Sequence, residues 1–366
     1  MANESLVIHL LRGMAAYMVV IFHSRVDLWQ GWRVVGQSEQ AGGFARLMAL
    51  FSIPAAFGGA GVMLFFVLSG YCIALPYAGS KRRPFRYREY FIRRFFRIYP
   101  PYLAVIVLCG IITMLGLALD VPSLSDVRGY WQSVFLVQNY TTGQIALNSS
   151  LWSLPVEMEL YLVFPLFYFG LRRLGEKWMW SFSLIVSATG MGLYSMGWTA
   201  ATLNFAKFWL IWWSGAMLAE WKQGGCLQKP NRWFILVGIF ALVYAVFGTI
   251  KGWNPAWLHF PYAYIFFVVL WLMLAGEEIV EPMLRKVAPG VAAAGTISYS
   301  LYLVHFPLFR LFGTWWVSAM GSKPVNFLWA LLAVIPVTLF AWLFYKVVEQ
   351  PSHKWAKRLS RESIGK

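Results

Sequence analysis

Ten apolar runs follow one another through the chain, near 6–26, 54–78, 99–119, 151–171, 179–197, 202–220, 234–250, 259–275, 295–318 and 326–347. A bilayer core of about 30 Å needs roughly 20 apolar residues of helix to cross it. Inside that layer every backbone N–H and C=O must find its partner within the protein. The runs therefore predict an all-α polytopic integral membrane protein of about ten transmembrane helices. Composition agrees, since 59% of the 366 residues are hydrophobic, more than a soluble core can hide.

A net charge of +16 in a soluble chain would suggest nucleic acid, so the placement of the charge decides. With the N-terminus inside, the inner segments hold Lys81, Arg82, Arg83, Arg86, Arg88, Arg93, Arg94, Arg97, Arg172, Arg173, Lys177, Lys222, Lys229, Arg232, Arg285 and Lys286, and the tail adds Lys354, Lys357, Arg358, Arg361 and Lys366. The outer segments hold Arg33, Arg46, Arg128, Lys251 and Lys323, with Arg25 at the outer end of the first run. Basic residues crowd cytoplasmic loops, so the bias predicts an N-in, C-in orientation and no nucleic-acid partner. The first run carries Arg12, lacks a small-residue cleavage site and leads into further spans, which marks it as a retained span rather than an export signal. Cys72, Cys109 and Cys226 give neither a disulfide framework nor metal-ligand spacing, and no metal is expected. No linker or fixed-period repeat interrupts the spans, so residues 1–366 are expected to form one membrane domain. Residues 27–53 and 120–150 read as long outer loops that face water, and 81–97 as a cationic helix on the inner surface.

Arg12 and His23 lie within the first apolar run, and at about 100° per residue their separation returns both to one helix face. An ionisable group inside a span costs several kcal/mol and marks a ligand or proton pathway by default. The plain alternative gives Arg12 an interfacial snorkel and His23 a headgroup contact. Glu157 lies about two turns into the fourth span and could share His23's depth, where a carboxylate would orient the imidazole and raise its basicity. Otherwise Glu157 and Glu159 cap or line that helix end. Ser298, Tyr302 and His305 share one face of the ninth span, and His305 ranks second to His23 because a lone histidine on an apolar helix commonly serves packing. Arg86, Arg93, Arg94 and Arg97 form a guanidinium array suited to phosphates, or anchor the chain to anionic lipid. Gly61 and Gly70 permit close helix approach, and Ser69 between them could donate one hydrogen bond.

The chain lacks a Gly-x-Ser-x-Gly elbow, a phosphate-binding loop, a dinucleotide fingerprint and His-Glu-x-x-His. His23 and Asp27 miss the His-x4-Asp spacing of glycerolipid acyltransferases by one residue. Six segments in order carry a different likeness. They are Arg12 to His23 (Arg-x10-His), Phe65-Phe-Val-Leu-Ser-Gly70, Arg93-Arg-Phe-Phe-Arg-Ile-Tyr-Pro100, Leu151-Trp-Ser-Leu-Pro-Val-Glu157 with Tyr161, Ser298-Tyr-Ser-Leu-Tyr-Leu-Val-His-Phe-Pro307, and Glu349-Gln-Pro351. Together they resemble the bacterial membrane-bound acyltransferase-3 family, the O-acetyltransferases of O-antigen, exopolysaccharide and other surface glycans.

The resemblance implies a multi-pass protein of the bacterial inner membrane that moves an acyl group, most commonly acetyl, from cytosolic acyl-CoA to a hydroxyl of a surface or lipid-linked glycan. Acetyl-CoA would be a substrate, with no tightly bound cofactor. Arg12 and His23 become the active pair, and Arg93, Arg94 and Arg97, with Arg86 beside them, the donor contacts. Ser69, Tyr161, Tyr302 and His305 become candidate site lining. His23 would either deprotonate the acceptor hydroxyl or carry the acyl group itself. The family often has adjacent acids where Met158 here separates Glu157 from Glu159, so which glutamate serves stays open. Larger relatives carry a C-terminal periplasmic esterase-like domain, which is not expected here. Two other readings stand beside this one: a transporter or flippase using the same buried groups as a pathway, and transfer to a small-molecule acceptor such as a macrolide or Nod-type oligosaccharide.

Overall fold

A computed structural model describes residues 5–37, 41–79, 84–141, 143–198 and 204–362. Lys81, Arg82, Arg83 and Lys366, which contribute to the predicted inner charge, lie outside the described residues. All the elements are helical, with no strand among the described residues. Eight helical segments there are long and apolar enough to cross a membrane: Leu6–Leu28, Gly43–Tyr77, Tyr87–Ala118, Ala146–Leu174, Arg232–Ile250, Pro255–Ala275, Ala288–Met320 and Leu328–Arg361. The protein is thus a multi-pass, all-α membrane protein. The predicted fifth and sixth spans are also helices, Glu176–Ser195 and Phe205–Gln223, but they stand outside those eight. Serine, glycine and charged residues dilute their apolar character.

Two predicted boundaries move. The first loop, predicted to be water-facing, instead holds α2 (Trp32–Gln37) and α3 (Gly43–Ala55). In α3, Ala45, Ala49 and Ser52 are buried while Phe44, Leu47, Leu50 and Phe51 are exposed. That helix is apolar on nearly every side, which suits lipid rather than water. The cationic inner helix and the third span are one element, α5 (Tyr87–Ala118), which runs through Pro100 and Pro101.

The chain divides into two compact units. Unit one comprises Met1–Ala15, Ala60–Phe85 and Pro155–Thr296, and unit two comprises Ala16–Gly59, Arg86–Leu154 and Ile297–Lys366. In unit one, α4 (Gly61–Ala74) packs on α9 (Phe205–Gln223) through reciprocal glycines. A Cβ on Gly70 would lie 1.9 Å from the Trp212 carbonyl oxygen, and one on Gly215 would lie 1.9 Å from that of Val67. Small residues let backbones approach where lipid provides no hydrophobic drive to associate. The predicted packing role of Gly70 is what the structure shows.

In unit two, α16 (Gln350–Glu362) lies along α5, with Ser352, Ala356 and Ser360 buried at successive turns. The Ser352 hydroxyl donates to the Phe96 carbonyl. Residues Tyr345–Glu349 just before α16 form a wide π turn, in which the Gln350 N–H bonds the Tyr345 carbonyl. Pro351 offers no N–H to an α-helical ladder, and the wide turn lets the helix continue past it.

Candidate active site

α1 (Leu6–Leu28) is one unbroken helix, so Arg12 and His23 recur on it with the predicted helical spacing. In unit two, α13 (Ala288–Met320) brings His305 against His23, with Nδ1 of His23 2.9 Å from Nε2 of His305. The two rings stack, their centroids 5.0 Å apart and their planes at 26°. Phe306 meets His23 edge-on at 4.9 Å. His305 is fully buried, whereas His23 keeps part of its surface open.

The residues around His305 explain why α13 can hold it rigidly. Pro307 has no N–H for the Leu303 carbonyl one turn back, and the Asn148 side-chain amide donates to that carbonyl at 2.9 Å instead. Ser150 in turn donates to Asn148 Oδ1 at 2.6 Å. The Tyr302 hydroxyl donates to the Ser150 carbonyl at 2.6 Å and accepts from the Ser153 hydroxyl at 2.7 Å. Tyr302, predicted as site lining, thus ties the segment at 146–152 to α13. One turn beyond the histidines, Asp27 and Arg310 form an ion pair at 3.1 Å, and Gly313 leaves only enough space for the Asp27 backbone.

Unit one holds a second polar cluster. Glu157, on α7 (Ser153–Leu174), accepts through Oε1 from the Ser69 hydroxyl at 3.0 Å and from the Tyr161 hydroxyl. Trp212 donates its indole N–H to Ser69 at 3.2 Å. Ser69 therefore both receives and donates, which holds it toward the carboxylate. Glu159 instead accepts from the Phe205 N–H at 2.8 Å, at the start of α9. Glu157 thus joins two of the predicted site residues, Ser69 and Tyr161. Glu157 and His23 fall in different units, and the imidazole partner of His23 within its own unit is His305.

The arginine array is not uniform. Arg86 stands just before α5 rather than on its face. Arg93 forms an ion pair with Glu89 at 2.7 Å, and its Nε donates to Ser360 at 3.3 Å, so it fastens α16 to α5. Arg94 lies with its guanidinium carbon 5.6 Å from the centre of the Tyr90 ring. Arg97 follows Arg93 by one turn.

Two relationships escaped the sequence reading. The sequence ranks His305 second to His23 and names no partner for it, and it gives no sign of Trp212 at Ser69. The polar stripe Ser298, Tyr302, His305 was the available signal for the first, but a helical stripe does not name the helix it faces.

Residues 6–346 match the model of a family described as an acyltransferase domain. Among curated proteins, the chain is 24% identical over 325 residues to the acyltransferase MdmB of Streptomyces mycarofaciens, covering 80% of each chain. It is 23% identical over 393 aligned positions to nodulation protein 10 of Rhizobium leguminosarum bv. viciae, covering 96% of this chain and 95% of that one. A shorter match, 30% identical over 153 residues, links 38% of this chain to 24% of the peptidoglycan O-acetyltransferase OatA of Listeria monocytogenes. No solved structure matches. With its spans, its motifs in order and a family match along almost its whole length, the chain belongs to the acyltransferase-3 family and is an acyltransferase of the membrane.

Proposed function

We propose that the protein is an O-acetyltransferase of the bacterial inner membrane, with acetyl-CoA as donor and a hydroxyl of a surface or lipid-linked glycan as acceptor. The observation that carries the reading is the His23–His305 pair, a partly exposed histidine backed by a fully buried one, within the span of the family match. The names of the relatives support O-acyl transfer over transport, and one of them is named for peptidoglycan. The chain is oriented N-in and C-in and works as a single membrane domain.

In this reading His23 takes the proton of the acceptor hydroxyl, and that oxygen attacks the thioester carbonyl. The tetrahedral adduct expels the CoA sulfur, which leaves as the thiol with the proton from His23, and the sugar keeps the acetyl ester. Arg12 lines the path of the thioester, and Arg94 and Arg97 with Arg86 hold the donor's phosphates through forked, charge-assisted hydrogen bonds. Arg93 belongs to the same basic surface and also secures α16. His305 is the orienting partner of His23 in this reading, and Glu157 keeps its place among the proposed catalytic residues.

The test is to incubate the purified protein in detergent with acetyl-CoA and candidate glycans, following thiol release and the mass of the acceptor. Acceptor-dependent thiol release with acetylation of the glycan, lost in His23→Ala protein that is still folded, is the expected result. Activity retained in His23→Ala would remove this mechanism. Acyl label trapped on His23 from donor alone would replace direct transfer with a two-step route.

A further inference from the structure

His305 makes two contacts that together fix where the protons of both imidazoles lie. Its Nδ1 is 2.7 Å from the Tyr302 carbonyl oxygen, with Leu301 O farther off at 3.2 Å. A carbonyl only accepts, so Nδ1 carries a proton. A neutral imidazole protonated there presents a lone pair at Nε2. That lone pair meets His23 Nδ1 at 2.9 Å. Two facing lone pairs would repel, so the His23 proton lies on Nδ1, and its own lone pair is left on Nε2.

The reverse relay needs a doubly protonated His305. That would place a cation in a fully buried position among Tyr302, Phe306 and Phe309, where an ion without a counter-charge is costly. The charged side chain on the next turn of α13, Arg310, is itself cationic and already engaged with Asp27. The neutral chain Tyr302 C=O, His305, His23 pairs each donor with an acceptor.

We propose that His305 is a positioning residue that locks His23 in the Nδ1–H tautomer and so makes Nε2 the atom that accepts the substrate proton. The inference rests on the reading of His23 as the base, but its tautomer half stands on geometry alone. His305 touches no substrate in this scheme. It acts by donating to the Tyr302 carbonyl and accepting from His23, as outer partners of a functional histidine do when they set its tautomer.

The experiment is 15N NMR on histidine-labelled full-length protein in lipid bilayers, with the His23 signals assigned by their loss in His23→Gln. The expected result is a protonated Nδ1 and an unprotonated Nε2 for His23. His305→Phe keeps an aromatic ring but removes the acceptor, so His23 should become a tautomer mixture and kcat should fall about a hundredfold with little change in donor KM. His305→Gln, whose amide oxygen reaches the place of Nε2, should restore the single tautomer and most of kcat. A wild-type His23 protonated at Nε2 would overturn the proposal even if neither variant folds. A Gln variant as slow and as mixed as the Phe variant would also overturn it, leaving His305 a packing role. The predicted tautomer together with full activity in His23→Ala would sink the base reading while leaving the tautomer lock intact.

Discussion

The Asp27 carboxylate meets the Arg310 guanidinium at 3.1 Å, four residues after His23 on α1 and five after His305 on α13. The ion pair fastens the same two helices whose imidazoles touch, just beyond the point of contact. Asp27 is nearly buried while Arg310 is 40% exposed along its side chain, so the bond is partly screened and its worth is below that of a fully buried pair. Arg310→Met should lower the stability by roughly 1–2 kcal/mol, because it leaves a buried carboxylate short of a donor. It should also reduce kcat by up to about a hundredfold through loss of register between the histidines. Thermal unfolding in detergent and a thiol-release assay read the two effects separately, and unchanged turnover would detach the pair from the site.

Gly70 and Gly215 each face a carbonyl across the α4–α9 contact with no space for a methyl group. Gly70→Ala and Gly215→Ala should each destabilise by about 1–3 kcal/mol, the usual range for forced overpacking. The double variant should cost less than the sum, since the first substitution already separates the backbones. Unfolding midpoints of the two single variants and the double variant check this.

Arg93 and Arg97 are one turn apart on α5, and Arg93 holds Glu89 and Ser360. Arg93→Gln removes the bonds to Glu89 and Ser360, and should expose the α16 backbone to faster hydrogen exchange. Arg97→Gln should raise the acetyl-CoA KM about tenfold, with kcat preserved, as expected when an interaction common to ground and transition states is lost.

Glu157 and Glu159 are separable in the same way. Glu157→Gln replaces the carboxyl group that Ser69 and Tyr161 donate to and should lower kcat more than stability. Glu159→Gln weakens the bond to the Phe205 N–H at the start of α9 and should act on stability, by about 1 kcal/mol, with turnover nearly intact. The reverse pattern would exchange their roles.

Features set by local spacing were legible without coordinates. The Arg12 and His23 stripe, the glycine packing of α4 and the helical character of the basic segment before Tyr99 each follow from residues close together in the chain. The charge pattern separates an inner-surface helix ending at residue 97 from a span starting at residue 99, while α5 carries both as one element through Pro100 and Pro101. Residues 27–53 read as a water-facing loop because the polar residues flanking α3 outweigh its short apolar stretch. The His23–His305 contact spans 282 positions, and periodicity reports the face of a helix but not its neighbour. Arg93 illustrates the same limit: its charge was plain, but its use as a strut depends on Ser360, whose place beside α5 only the fold reveals.

The π turn at Tyr345–Glu349 holds one residue more than an α-helical turn would. An extra residue advances whatever follows by about 100° around the helix axis. That rotation is what aims the small side chains of Ser352, Ala356 and Ser360 at α5 and sends Lys354, Trp355 and Arg358 outward. The bulge works as a phase adjuster: shortening the chain there by one position would swing bulk and charge into a seam shaped for serine and alanine, so length at this point is under tighter constraint than residue identity.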